Sequence, residues 1–114
     1  MKVLVENLAK QQLIDIYYYN YKYSLKSAIE TNKSIMGKID NLKDFPYIGR
    51  YIPEMSDKHY REIIYRRTRQ SGYRIMYYLS EKSNTIYILN IINCKQDLNN
   101  ILKSNNYFNK YFNF

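Results

Sequence analysis

The sequence is poor in the residues from which reactive centres are most often built: among 114 residues it has one cysteine, one histidine, three glycines and two prolines. A lone Cys94 excludes an intrachain disulfide and a cysteine-based metal cluster. With no histidine near it in the chain, it reads as a small filler rather than a nucleophile. His59, in the loop before a strand, reads as solvent-exposed. Gly37, Gly49 and Gly72 are too scattered for a phosphate-cradling loop. Asp40, Asp44, Glu54 and Asp57 lack metal-ligand spacing, so no metal and no cofactor is expected. No run approaches the roughly 18 uninterrupted apolar residues of a membrane span, and the first residues lack the charged-then-apolar order of a signal peptide. The expectation is a cytoplasmic protein with no membrane partner.

Acidic residues are scarce in only half of the chain. Residues 1–57 carry eight Lys and Arg against seven Asp and Glu, whereas residues 58–114 carry ten against three, so nearly all of the net charge of +8 lies in the second half. That half presents a positive field, and the partners it favours are nucleic acid or an acidic protein segment. A hydrophobic content of 46% with 17% aromatic residues supports one folded domain. Heavy use of Asn, Ile, Lys and Tyr also fits an AT-rich genome, which accounts for part of the lysine and tyrosine excess without function.

Along the chain, residues 1–5 form a short apolar run that reads as a strand ending at Glu6. Asn7 is placed to cap the next helix, on which Ala9, Leu13, Ile16 and Tyr17 recur at helical spacing to about Tyr21. Ser24 is the next cap candidate. Leu25, Ala28, Ile29, Asn32, Ile35, Met36, Ile39 and Leu42 then keep intervals of three and four, and Pro46 stops the pattern. Residues 60–65, 73–79 and 86–92 are runs of β-branched, aromatic and aliphatic side chains separated by polar breaks, the signature of a meander. Leu98, Ile101 and Leu102 suggest a last helix, and residues 105–114 form an aromatic and asparagine-rich tail. The fold expected is α+β: an N-terminal strand, a two-helix hairpin, a three-strand antiparallel meander and a short C-terminal helix, with the helices on one face of the sheet and residues 1–104 as one domain.

Two strands hold an arginine within an apolar run. Alternation puts Tyr73, Ile75, Tyr77 and Leu79 on one face and Arg74, Met76 and Tyr78 on the other. Paired as a hairpin, the two strands allow Arg61 and Arg74 to share a face. A guanidinium there is completed by an external anion or, equally, by Glu62 across the ladder. Arg66, Arg67 and Arg69 form the densest charge run. They read either as a solvated turn or as a contact for phosphate or an acidic partner, and Tyr17 and Tyr21 on the tyrosine-rich helix tip join them as candidate nucleic-acid or partner-binding residues.

Several motifs together resemble the RelE/ParE superfamily of bacterial toxins. Ala9, Leu13, Ile16 and Tyr19 match its first-helix pattern, and Phe45-Pro46-Tyr47-Ile48-Gly49-Arg50 matches its Phe-Pro-x-x-Gly-Arg turn. Tyr60 to Ile63 and Tyr73 to Tyr77 match its Tyr-Arg strands. The resemblance implies the toxin of a type II toxin–antitoxin pair, neutralised by a cognate antitoxin. A helical hairpin as long as residues 8–43 is similar to ParE-like inhibitors of DNA gyrase. The alternative is a metal-independent endoribonuclease acting on mRNA at the ribosome, in which Arg61, Arg74 and Lys95 stand at the positions of the family's catalytic cations. Two departures bear on that alternative: Asn93 replaces the histidine common at the last strand end, and the catalytic tyrosine position falls near Ile101. A member that has lost activity is the third possibility.

Overall fold

The computed structural model describes residues 1–69 and 71–95. Strand β1 (Lys2–Val5) leads into helices α1 (Asn7–Tyr21) and α2 (Leu25–Asn41), followed by the short β2 (Arg50–Tyr51), β3 (Tyr60–Arg66), β4 (Gly72–Ser80) and β5 (Thr85–Asn93). The sheet order is β1-β5-β4-β3-β2. The helical hairpin carries the chain from one edge of the sheet to the other, and β2 to β5 return it as an antiparallel meander. β1 therefore ends up beside β5 and parallel to it, with Lys2 opposite Thr85. The three expected meander strands are present, with β2 as an additional edge strand. The expected C-terminal helix and the tail lie outside the described residues.

The face of the sheet under the helices is built as alternation demands. Tyr73, Ile75, Tyr77 and Leu79 of β4 pack with Ile86, Ile88 and Ile91 of β5 against Ala9, Leu13 and Ile16 of α1, Ile35 and Ile39 of α2, and Leu42 just after it. On the other face, Met76, Leu89, Ile92 and Tyr60 form a smaller cluster with Ile52 from the segment between β2 and β3.

Three local expectations are corrected. Asn7 does not cap α1: Glu6 occupies the cap position without a side-chain bond, because its N–H still donates to the Ile88 carbonyl at 2.9 Å. The chain thus passes from strand to helix with no spare residue between them. The α2 stripe is narrower than its sequence, with Leu25, Ile29 and Met36 all about half exposed. One sheet face accommodates only the line of Ala28, Thr31, Ile35, Ile39 and Leu42. Finally, Arg61 and Arg74 do not share a face, since Arg61 lies opposite Tyr77 and Arg74 opposite Ile64. Ser24 does cap α2, its hydroxyl oxygen accepting from the Ser27 N–H at 3.1 Å.

A register shift between Met76 and Tyr77 marks a bulge in β5. Gln12 of α1 repairs it. Its side-chain oxygen accepts the Ile91 N–H at 2.6 Å and its amide nitrogen donates to the Asn90 side-chain oxygen, which ties the first helix to the last strand.

Candidate functional site

The chemistry gathers where β2, β3 and β4 meet. The Phe-Pro-x-x-Gly-Arg turn is held by Tyr77, whose buried hydroxyl donates to the Pro46 carbonyl at 2.9 Å and accepts the Gly49 N–H at 3.0 Å. Burial pushes the Tyr77 phenol pKa upward. Glycine is required beneath it: a Cβ at position 49 would lie 2.4 Å from the Tyr77 oxygen and 2.8 Å from the Glu62 carbonyl oxygen. The turn delivers Arg50 into β2, directly opposite Glu62.

Glu62 is a fully buried carboxylate between two arginines. Arg50 Nε and Nη2 donate to its Oε2 at 2.9 and 2.7 Å. Arg74 Nε and Nη2 donate to its Oε1 at 2.9 and 2.6 Å. Arg74 also forms a two-pronged pair with Glu54, Nη1 to Oε2 at 3.0 Å and Nη2 to Oε1 at 2.8 Å. Burial by itself would lower the Arg74 pKa, but the hydrogen bonds it donates to Glu54 and Glu62 outweigh it and the net shift is upward. The Arg74 guanidinium hydrogen-bonded to Glu54 in turn holds that carboxyl below its ordinary range. Arg74 is only 8% exposed. Of the two readings open for it, the internal pairing with Glu62 is the one present.

Beside this network lies a cavity of about 220 Å³ lined by Arg50, Pro53, Glu54, Ile64, Arg66, Arg74 and Cys94. Cys94 is half-buried. Its N–H donates to the Gly72 carbonyl, so it closes the end of β5 against the start of β4.

Arg61 lies on the opposite face, at the sheet edge. Its Nη1 donates to the Gly49 carbonyl at 2.9 Å, and its guanidinium sits 4.6 Å from the Tyr51 ring centre and 5.4 Å from that of Tyr47. Lys95 is exposed in the turn after β5. Of the three expected cations, Arg61 and Arg74 thus lie on opposite faces of the sheet. His59 is exposed as expected. Its N–H and ring Nδ1 both meet Asp57 Oδ1, at 2.9 and 2.8 Å, and the backbone N–H foremost lowers the Asp57 pKa.

Of the remaining candidates, Arg67 reaches back to the hairpin, with Nη1 donating to Asn20 Oδ1 at 3.1 Å and Thr31 Oγ1 at 3.2 Å. Arg66 and Arg69 are exposed. Tyr17 and Tyr21 stack on each other with ring centres 6.2 Å apart. The sequence reading missed Arg50 and Glu54 as members of the ionic network. The only signal for Arg50 was its place at the end of the glycine turn, and nothing local marked Glu54. Among the described residues no three His, Cys, Asp or Glu side chains gather as a metal site needs, and no helix is long and apolar enough to cross a membrane.

No curated protein matched the chain. The β1-helical hairpin-meander order and the Tyr77-held glycine turn fall within one continuous stretch, and the family model described as ParE toxin of type II toxin-antitoxin system, parDE, matches residues 3–98 of it. The chain belongs to this family and is a type II toxin, whose partner is a cognate antitoxin.

Proposed function

We propose that this toxin arrests growth by binding DNA gyrase, without cleaving a bond itself. The observation that carries the reading is the engagement of Arg74. Cleavage of RNA through its 2′-hydroxyl needs cations free to meet the charge that develops on the phosphorane. Here the central guanidinium already serves two carboxylates, and the other strand arginine, Arg61, lies across the sheet from it. Withdrawing Arg74 from Glu62 would leave a buried carboxylate with Arg50 alone, at a cost of several kcal/mol before any substrate contact is made. A binding toxin needs no such withdrawal. The network then serves to brace β2 and the segment before β3 against β3 and β4, and the antitoxin's acidic, amphipathic segment covers the sheet and hairpin when the toxin is held inactive.

Two assays on the purified chain test this. With gyrase and plasmid, supercoiling is expected to fall or broken plasmid to accumulate as the chain is added. With translating ribosomes, the message is expected to stay intact. Cleavage of ribosome-bound message would overturn the binding mode in favour of the endoribonuclease. Inertness in both assays, without arrest in cells, would mark a member that has lost its activity.

A further inference from the structure

The end of the molecule where the hairpin turns also holds the β3–β4 loop and the exit of β5. Arg67 joins the loop to α1 and α2 through Asn20 and Thr31, Asn20 Nδ2 reaches the Tyr73 hydroxyl at 3.4 Å, and the Cys94 N–H closes β5 onto Gly72. Residues 17–23, Tyr-Tyr-Tyr-Asn-Tyr-Lys-Tyr, contain no aliphatic side chain. Tyr18, Tyr19, Tyr21 and Tyr23 are 62%, 54%, 54% and 74% exposed. Lys22 and Lys26 are exposed in the same stretch and Arg69 and Lys95 in the β3–β4 loop and at the exit of β5, and neither residues 17–29 nor residues 63–73 contain a carboxylate. Glu30, next along α2, lies 4.0 Å from Lys26.

We propose that this end binds single-stranded nucleic acid, with the cations following the phosphates and the tyrosine rings stacking on unpaired bases. The composition of the tip separates this ligand from a protein partner. A leucine-rich amphipathic helix seeks aliphatic knobs and holes, which residues 17–23 do not offer, whereas phenol rings present flat apolar faces with wet polar rims that suit bases. Stacking of this kind tolerates any base, so recognition is of strandedness rather than sequence. Phosphate neutralisation by Lys and Arg makes the binding salt-dependent, with a slope of about 0.7 per phosphate on a logarithmic plot for single strands. The site lies apart from the Arg74 network and does not depend on the gyrase reading.

Fluorescence anisotropy of the purified chain with short oligothymidylate, oligouridylate and a duplex, each over a KCl series, tests the proposal. Both single strands are expected to bind more tightly than the duplex. The double variant Lys22→Gln/Arg69→Gln should flatten the salt slope by about 1.4, two phosphates' worth. Tyr18→Leu/Tyr21→Leu should keep the slope and weaken binding by about tenfold or more. Circular dichroism of each variant confirms that the fold is retained. Binding of only one of the two single strands supports the site and names its source as DNA or RNA. Absence of oligonucleotide binding, preference for the duplex, indifference to both double variants, or binding of polyglutamate that oligonucleotide cannot displace would each overturn it. Gyrase assays on the same preparations keep the two readings apart. Inhibition that persists without oligonucleotide binding removes only this proposal, and oligonucleotide binding without inhibition removes only the gyrase mechanism.

Discussion

The two faces of the sheet solve the same problem by different means. Under the helices, thirteen of the described side chains, from the helical hairpin, β4 and β5, form a continuous apolar cluster. There the hydroxyl of Tyr77 is satisfied by backbone partners. On the opposite face the apolar cluster has five buried members among the described residues, and beside it four charged side chains, Arg50, Glu54, Glu62 and Arg74, are linked by short hydrogen bonds. Apolar packing is tolerant of exchange among similar shapes, whereas a buried ionic chain fails when one member is lost. A strand arginine is therefore not by itself a sign of an exposed cationic site. Arg61 and Arg74 sit in equivalent-looking Tyr-Arg strands, yet one is stacked on rings at an edge and the other is nearly enclosed.

The comparison can be broken most severely at Arg74. Arg74→Met should destabilise the chain by about 3 kcal/mol, near the lower end for a broken buried pair because Arg50 remains on Glu62. Urea denaturation measures this, and a loss below 1 kcal/mol would mean the ionic face is not braced by this residue. Gly49→Ala attacks the apolar side of the turn. Its added Cβ must displace the Tyr77 hydroxyl or the β3 backbone, for an expected cost of about 1 to 3 kcal/mol. Tyr77→Phe in the Gly49→Ala background should recover part of that loss if the clash is with the hydroxyl, and none if it is with the backbone. Arg61→Ala should cost only about 1 to 2 kcal/mol, the scale of a half-buried cation–ring contact with hydrogen bonds to the Gly49 and Tyr47 carbonyls.

The smallest effect lies in the shape of a pH profile. The Glu54 pKa is depressed in the folded state below its ordinary 4.5, so its pairing adds stability that is fully present above that value and is lost as the pH falls through the lower, folded one. The stability gap between wild type and Glu54→Gln should therefore close on acidification below about pH 4.5, and stay constant above it. A gap that widens in acid would contradict the assigned direction.

Where the sequence pattern was periodic, it could be read. The β4 alternation placed Arg74 opposite the densest apolar set, and Ser24 identified the start of α2. The pattern was less informative where one element's neighbours decide the outcome. The α2 stripe of Leu25, Ile29 and Met36 looks like core at helical spacing, but only the sheet's width shows that it stays half exposed. The register that separates Arg61 from Arg74 depends on the β3–β4 pairing, which alternation within either strand cannot supply. Arg50, Glu54, Glu62 and Arg74 are spread over 25 positions of the chain, and their convergence follows from β2 turning back alongside β3. Gln12 was an ordinary polar residue between apolar ones until the β5 bulge gave its amide two partners.

The parallel pairing of β1 with β5 has a consequence for how the chain is made. The first strand leaves the ribosome more than 80 residues before the strand it must lie beside, Lys2 being opposite Thr85. It cannot dock until that late partner has emerged, and such distant pairings are slow to form. The sheet cannot close until β5 has emerged, so a nascent copy with that strand still in the tunnel carries an unfinished sheet.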